Sequence, residues 1–322
     1  MTAVRIPVSR EPRGGRPSAG GRRDRHDRNA RTWYYRCYGI GPAKRAGAHL
    51  VAMAFAAYIL VPLFWIALAS TKTNQNIVTS FGFWFAAPFH LWDNLTAVMD
   101  YQNGLFPRWI LNSLLYAGSS GVLATVVAAL AGFAFAKLEF RWRRPIMALI
   151  IGAVAIPSTA LVVPLYLFIS YSHLVNTPLA VILPSLGNAF GAFLTYIYVQ
   201  ASVPSALLDA ARVDGASELR IFWRIGVPIM LPGCVTVLLF VVVGVWNNFF
   251  LPLLVFNDPR LYPVTVGLAQ WNASIAGGSG QQILYSLLVT GSLLSMIPTV
   301  AAFLILQRYW RQGLALGSLA GE

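Results

Sequence analysis

Charge is what this chain has least of. Asp, Glu, Lys and Arg make up 11% of its 322 residues, against 57% hydrophobic residues and a mean hydropathy of +0.62. Soluble globular domains carry about a quarter charged residues, so that class is excluded. Within the six long apolar runs, 46–69, 110–136, 145–169, 178–199, 233–256 and 283–306, there is no Asp, Glu, Lys or Arg at all. One such charge at the centre of a membrane helix costs about 2.5–3.5 kcal/mol on insertion scales, so chains keep them there only for a purpose. Ion-coupled carriers and proton pumps use midplane charges, and the lack of them counts against self-powered transport. Cysteine is almost missing too: Cys37 and Cys234 exclude a disulfide framework. Catalytic signatures are absent, with no G-x-x-x-x-G-K-[ST] phosphate loop, H-E-x-x-H, C-x-x-C or G-x-S-x-G. His26, His49, His90 and His173 are too dispersed for a metal site, and Gly277-Gly278-Ser279-Gly280 lacks the lysine of a phosphate loop and reads as a flexible connection. No catalytic residue, cofactor or metal is expected.

What is present is apolar length. At 1.5 Å per residue each run is long enough, or nearly so, to cross about 30 Å of hydrocarbon, which predicts an all-α membrane protein with six transmembrane helices. The first run ends in Ala67-Leu68-Ala69, which mimics a cleavage site, but it is longer than a signal-peptide core and follows a long basic stretch. It is read as an uncleaved span. An even number of crossings puts both termini on one side. That side then holds 21 of the 24 Lys and Arg, leaving only Lys72, Arg108 and Arg260 opposite. By the positive-inside rule the termini and the 203–232 connection are cytoplasmic. Residues 1–45 carry twelve of those basic residues amid Gly, Pro and Ser. They read as a disordered tail attracted to anionic membrane lipid rather than to nucleic acid, with Trp33, Tyr34, Tyr35 and Tyr38 as an interfacial belt. The rest, 46–322, is a single six-helix domain.

Neutral polar side chains do occur in the spans. Asn112, Ser113, Asn188, Trp246, Asn247 and Asn248 form the candidate substrate pathway, since amides, hydroxyls and aromatics suit an uncharged, hydroxylated solute. Interhelical hydrogen bonding is the competing reading of each polar group. Prolines 62, 157, 164, 184, 252 and 298 interrupt spans, and unwound membrane segments survive where they line a cavity or are covered by protein. Small residues in 118–121 and 128–132 permit close helix contact.

The most organised stretch is 203–232, VPSALLDAARVDGASELRIFWRIGVPIMLP. Ser205 is read as the cap of a helix from Ala206 carrying Leu207, Leu208, Ala211 and Val213 at helical spacing. Asp214-Gly215 is a break, because glycine accepts the positive φ that ends a helix. A second short helix follows, and Pro228 and Pro232 mark the return to the membrane. The small pair Ala210-Ala211 lets a partner approach the backbone closely.

This stretch resembles the EAA loop of bacterial ABC-importer permeases, with Asp209, Ala210, Ala211, Gly215, Ile225 and Pro228 on the pattern. Asp209 stands where glutamate is usual, which shortens the carboxylate's reach. Asn112-Ser113-Leu114, the 131–137 segment AGFAFAK, Val163-Pro164-Leu165-Tyr166, Trp246-Asn247-Asn248-Phe249 and Leu306-Gln307-Arg308-Tyr309 resemble the carbohydrate-uptake subfamily, on the maltose-type second-permease side. The resemblance implies a binding-protein-dependent inner membrane component of the type I fold in the bacterial cell membrane. It would form half of a translocation pathway for a sugar or oligosaccharide, beside a second permease in a heterodimer. Two cytoplasmic ATPase subunits would grip a coupling helix through Asp209, Ala210, Ala211, Asp214, Gly215, Ala216 and Arg220, and an extracytoplasmic sugar-binding protein would deliver the solute. ATP hydrolysis would then belong to the partners and not to this chain. The C-terminal stretch 307–322 is similar to a family tail that also reaches the ATPases, although Arg311 departs from it. From the residues alone, an ion-coupled secondary carrier and a non-transporting membrane scaffold remain as alternatives.

Overall fold

Apolar runs of this length satisfy their peptide groups in hydrocarbon by coiling into helices, because no water is there to serve as a partner. The computed structural model of the protein describes residues 42–277 and 284–317, and among the described residues there is no β-strand. The basic tail up to residue 41, with its aromatic belt, Cys37 and His26, lies outside the described residues, as do Gly278-Ser279-Gly280 and the end of the C-terminal tail. The chain divides inside its first helix into two units, Met1–Val61 and Pro62–Glu322. In the first, the described part is the beginning of helix α1, Pro42–Ala69, with Leu50, Val51, Phe55 and Tyr58 exposed.

The second unit carries the remainder in the order α2 (Asn74–Thr79), α3 (Leu91–Asp100), α4 (Leu105–Lys137), α5 (Arg143–Val154) and, after a 3-10 turn at Ser158–Leu161, α6 (Val162–Tyr171). Then come α7 (Leu179–Leu186), α8 (Ala189–Ser202), α9 (Ser205–Val213), α10 (Glu218–Trp246), α11 (Phe250–Val255), α12 (Val264–Ala276) and α13 (Leu284–Gly317). Five helical stretches are long and apolar enough to cross a membrane, and a sixth span results if α5 and the segment Ser158–Tyr171 are counted as one, bent by 102°.

The elements differ from the sequence reading where proline and asparagine act. The run 145–169 is broken at Pro157, whose extended backbone (ψ 127°) ends the helical path. The run 178–199 is interrupted at Gly187, and Asn188 starts α8 by accepting a hydrogen bond from Gly191 N at 2.6 Å. Pro228 and Pro232, read as marking the return to the membrane, are inside a continuous helical span. A π turn at Phe222–Gly226, closed by Val227 N donating to the Phe222 carbonyl, precedes them. The wider turn lets the chain pass a residue with no N–H to give. The fifth span therefore begins at Glu218 and stops at Trp246 instead of running from 233 to 256. Helix α12 falls within what apolar length alone reads as a connection, although Val264, Leu268, Trp271 and Ile275 keep helical spacing along it.

The core forms around α4, which packs against α8 and α10. Contact is close because small residues face the seam: Ala124 and Ala128 are buried against Val237 and Val241, and a methyl on Gly132 would fall 2.6 Å from Thr195 and 2.7 Å from the Tyr196 nitrogen. At the other end of α4, Phe106 and Trp109 surround Trp271, with Phe106 and Trp271 stacked at 5.7 Å. Gly267 lets α12 lie on this cluster, since a methyl there would meet the Trp109 ring at 2.1 Å. Gly267→Ala should therefore lower the thermal stability of the purified protein by about 1–3 kcal/mol through overpacking. Gly118→Ala, where nothing lies within 4 Å, should not lower it in the same melting measurement.

Candidate coupling loop and candidate translocation cleft

The bend between α9 and α10 is built by the backbone. Gly215 has φ +79° with nothing within 4 Å of where a Cβ would sit, so the constraint is conformational and not spatial. A residue with a side chain pays about 1–2 kcal/mol in this left-handed region. Around it Ala216 N donates to the Ala211 carbonyl at 3.0 Å and Gly215 N to the Arg212 carbonyl at 3.0 Å. These two bonds define a Schellman ending with glycine at its required place. Ala211 and Ala216 turn partly inward onto a cluster containing Leu208, Phe133, Ile221 and Phe222. The start of α9 departs from expectation. Pro204 occupies the cap position with no side-chain cap bond, and Ser205, the first helical residue, accepts a hydrogen bond from Lys137 Nζ at 3.3 Å.

A guanidinium spans the bend. Arg212 Nε and Nη2 donate to the two Glu218 oxygens at 2.7 and 3.2 Å, while Nη1 donates to Asp209 Oδ1 at 2.7 Å. Hydrogen bonding to Glu218, followed by that to Asp209, pushes the Arg212 pKa up from an already high value. Asp209 and Glu218 are thus held to one cation across the turn. Asp209, Ala210, Asp214 and Arg220 are exposed, together with Val213 (88% exposed) and Leu219 (62%). The sequence reading did not single out Arg212. Its spacing three residues after Asp209 was visible, whereas the pairing with Glu218 exists only once the bend is formed.

The second feature is a cavity of about 520 Å³. Its walls come from three helix interruptions: Ser158 and Thr159 beside Pro157, Asn188 at the α7–α8 break, and Asn247, Asn248 and Phe249 between α10 and α11. Asn188 uses its Oδ1 as a helix cap, and Asn247 Nδ2 donates to the Val243 carbonyl at 2.9 Å. Asn188, Asn247 and Asn248 are therefore brought together. Asn112 and Ser113 are not among them. Asn112 Nδ2 donates to the carbonyls of Arg260 and Tyr262 at 2.8 and 3.0 Å, and Ser113 Oγ accepts from Val264 N at 2.8 Å. Trp246 is buried and faces a different, more apolar cavity of about 740 Å³ bordered by Leu268 and Met296.

Residues 121–315 match the model of a family described as the binding-protein-dependent transport system inner membrane component. The chain belongs to this family. Relatives of this transport component include the arabinooligosaccharides transport system permease protein AraQ of Halalkalibacterium halodurans, 30% identical over 84% of this chain and 95% of that protein. The lactose transport system permease protein LacG of Rhizobium radiobacter is 29% identical over 83% of this chain and 93% of that one. Among solved structures, a chain of a bacterial ABC transporter involved in the import of the acidic polysaccharide alginate shares the fold, with a TM-score of 0.71 at 19% identity, over 84% of this chain and 99% of that one. As a member of the family this protein is a multi-pass permease component of the cell membrane with the type I importer fold, and the carrier and scaffold alternatives give way to that assignment.

The Arg212 bridge joins side chains that are 35% (Arg212) and 47% (Glu218) exposed, so its contribution is modest. A double-mutant cycle on Arg212→Gln and Glu218→Gln should give a coupling of about 0.2–1 kcal/mol, near the upper end because the pair is bidentate. The coupling should shrink in high salt, as read from denaturation midpoints.

Proposed function

We propose that this chain forms half of the translocation pathway of an ATP-driven importer for a sugar or oligosaccharide. Its partners in this reading are a second, non-identical permease, two cytoplasmic ATPase subunits and an extracytoplasmic sugar-binding protein. The relatives named above carry oligosaccharide and lactose transport in their names. The cleft suits the same class, since amides and hydroxyls of Asn188, Asn247, Ser158 and Thr159 offer neutral donors and acceptors beside Phe249 and Phe250. The bias of Lys and Arg supports cytoplasmic termini and a cytoplasmic 203–232 loop.

The observation that carries the reading is continuity. Helix α9 is fixed at its bend to α10, and α10 runs unbroken for 29 residues to Trp246, about 43 Å away, where Asn247 and Asn248 enter the cleft. In this mechanism the ATPases hold α9 through Asp209, Ala210, Ala211, Asp214, Gly215, Ala216 and Arg220. Their closure on nucleotide rotates α9 as a rigid handle, α10 follows, and the cleft passes between outward- and inward-facing arrangements. The exposed Val213 and Leu219 supply apolar contact, and the small Ala210 lets the docking surface come near the backbone.

Gly215→Val penalises the left-handed backbone, and Ala211→Asp sets a charge in a half-buried docking position. In vesicles reconstituted with ATPases, second permease and binding protein, both variants should insert normally and lose solute uptake while the ATPases retain basal hydrolysis. Unimpaired uptake by both would refute the handle. Uptake driven by an ion gradient, with the ATPases left out, would refute the importer reading as a whole.

A further inference from the structure

From Thr73 to Phe89 there is no charged residue, and the segment ending this stretch is SFGFWFAAPFHLW, residues 80–92. Six of its aromatic side chains stand outward: Phe81 and Trp92 at 74% exposure, Trp84 at 67%, Phe85, Phe89 and Phe83 at 45% or more. A lone exposed aromatic is ordinary, but six within thirteen consecutive residues form the kind of patch that marks a contact surface.

The segment is fastened to the end of α1. Lys72 is 1% exposed, and its Nζ donates to Ser80 Oγ at 3.0 Å and to the Phe81 carbonyl at 2.8 Å. His90 N donates to the Thr71 carbonyl at 2.9 Å, and Asn94 Nδ2 donates to the carbonyls of Ser70 and Lys72. Asn76 Nδ2 closes the loop internally on the Ala87 carbonyl at 3.2 Å. Both ends of the loop therefore sit at the helix terminus. Its beginning lies back along the helix: a methyl on Gly82 would lie 3.4 Å from the Trp65 indole, four residues before the end of α1, or about 6 Å down its axis. At Gly82 the aromatic segment thus stands level with the last turn of an apolar span, and at His90 with its end.

We propose that residues 80–92 are an interfacial anchor, seating these aromatic side chains in the headgroup–glycerol layer of the leaflet into which α1 emerges. Three observations favour lipid as the occupant: the level set by Gly82 against Trp65, the lack of any charged residue from Thr73 to Phe89 with the His90–Asp93 pair only at the far end, and the use of tryptophan and phenylalanine, which partition to this layer. Lys72 enables the arrangement, since its ammonium is turned inward onto neutral oxygens and holds the loop's own backbone against the helix.

The test uses the full-length chain in phosphatidylcholine vesicles, with Cys37→Ser and Cys234→Ala as background and nitroxide labels on Trp84→Cys, Phe85→Cys or Val213→Cys. At Trp84→Cys and Phe85→Cys the ratio of oxygen to nickel-chelate accessibility should be several-fold higher than at Val213→Cys, with depths near the lipid phosphates. Accessibility to the chelate equal to that at Val213→Cys would overturn the proposal in favour of a water-exposed loop. Shielding from both probes would overturn it in favour of a protein partner. Should the cysteine variants not fold, Trp84→Phe and Trp92→Phe serve instead. Each should remove intrinsic fluorescence that is quenched more by lipids brominated near the headgroup than by lipids brominated near the chain ends. Equal or absent quenching of that component would overturn the proposal.

Discussion

Peptide groups in hydrocarbon have no partner except other protein, and this constraint governs where the chain is allowed to break. Helices α4 and α10 do not break at all. The interruptions at Pro157, at Gly187-Asn188 and after Trp246 converge on one cavity instead of facing outward separately. Each break frees backbone donors and acceptors, and each brings in amides or hydroxyls: Thr159 at one, Asn188 at the next, Asn247 and Asn248 at the third. The polar lining of this cavity is built in this way, from irregular backbone and neutral side chains. Both are tolerated because α4 and its small-residue seam carry the packing.

The coupling loop shows a division of labour between backbone and charge. Gly215 sets the direction of the turn through its left-handed conformation. Arg212 then ties the helix before the turn to the helix after it. The first is a steric preference insensitive to solution conditions, and the second is an ionic pairing that salt weakens. The angle between α9 and α10 is thus set twice, once by backbone conformation and once by ion pairing.

Much of this was legible in the sequence, and the rest was hidden for identifiable reasons. The helical class, the approximate spans and the turn at Asp214-Gly215 followed from apolar length and from glycine. The small-residue seam at 128–132 was read as packing, and Gly132 against Thr195 agrees. Proline misled in two directions. Pro157 bends its span far more sharply than a kink, while Pro228 follows a π turn and lies inside one continuous span. Asn112 and Ser113 looked like pathway residues on polarity alone. Their partners, the backbone of Arg260, Tyr262 and Val264, lie about 150 positions away, a distance that no local pattern reports.

Those partners carry a mechanical consequence. Arg108, Trp109, Asn112, Ser113 and Tyr116, all in the N-terminal half of α4, bond to the short stretch from Pro259 to Val264. Six bonds at one end and the close contact of Gly132 with Thr195 at the other make unequal fastenings. Helix α4 is thereby bonded to the 259–264 stretch at one end and packed on α8 at the other, so one long helix keeps two separate neighbours in register.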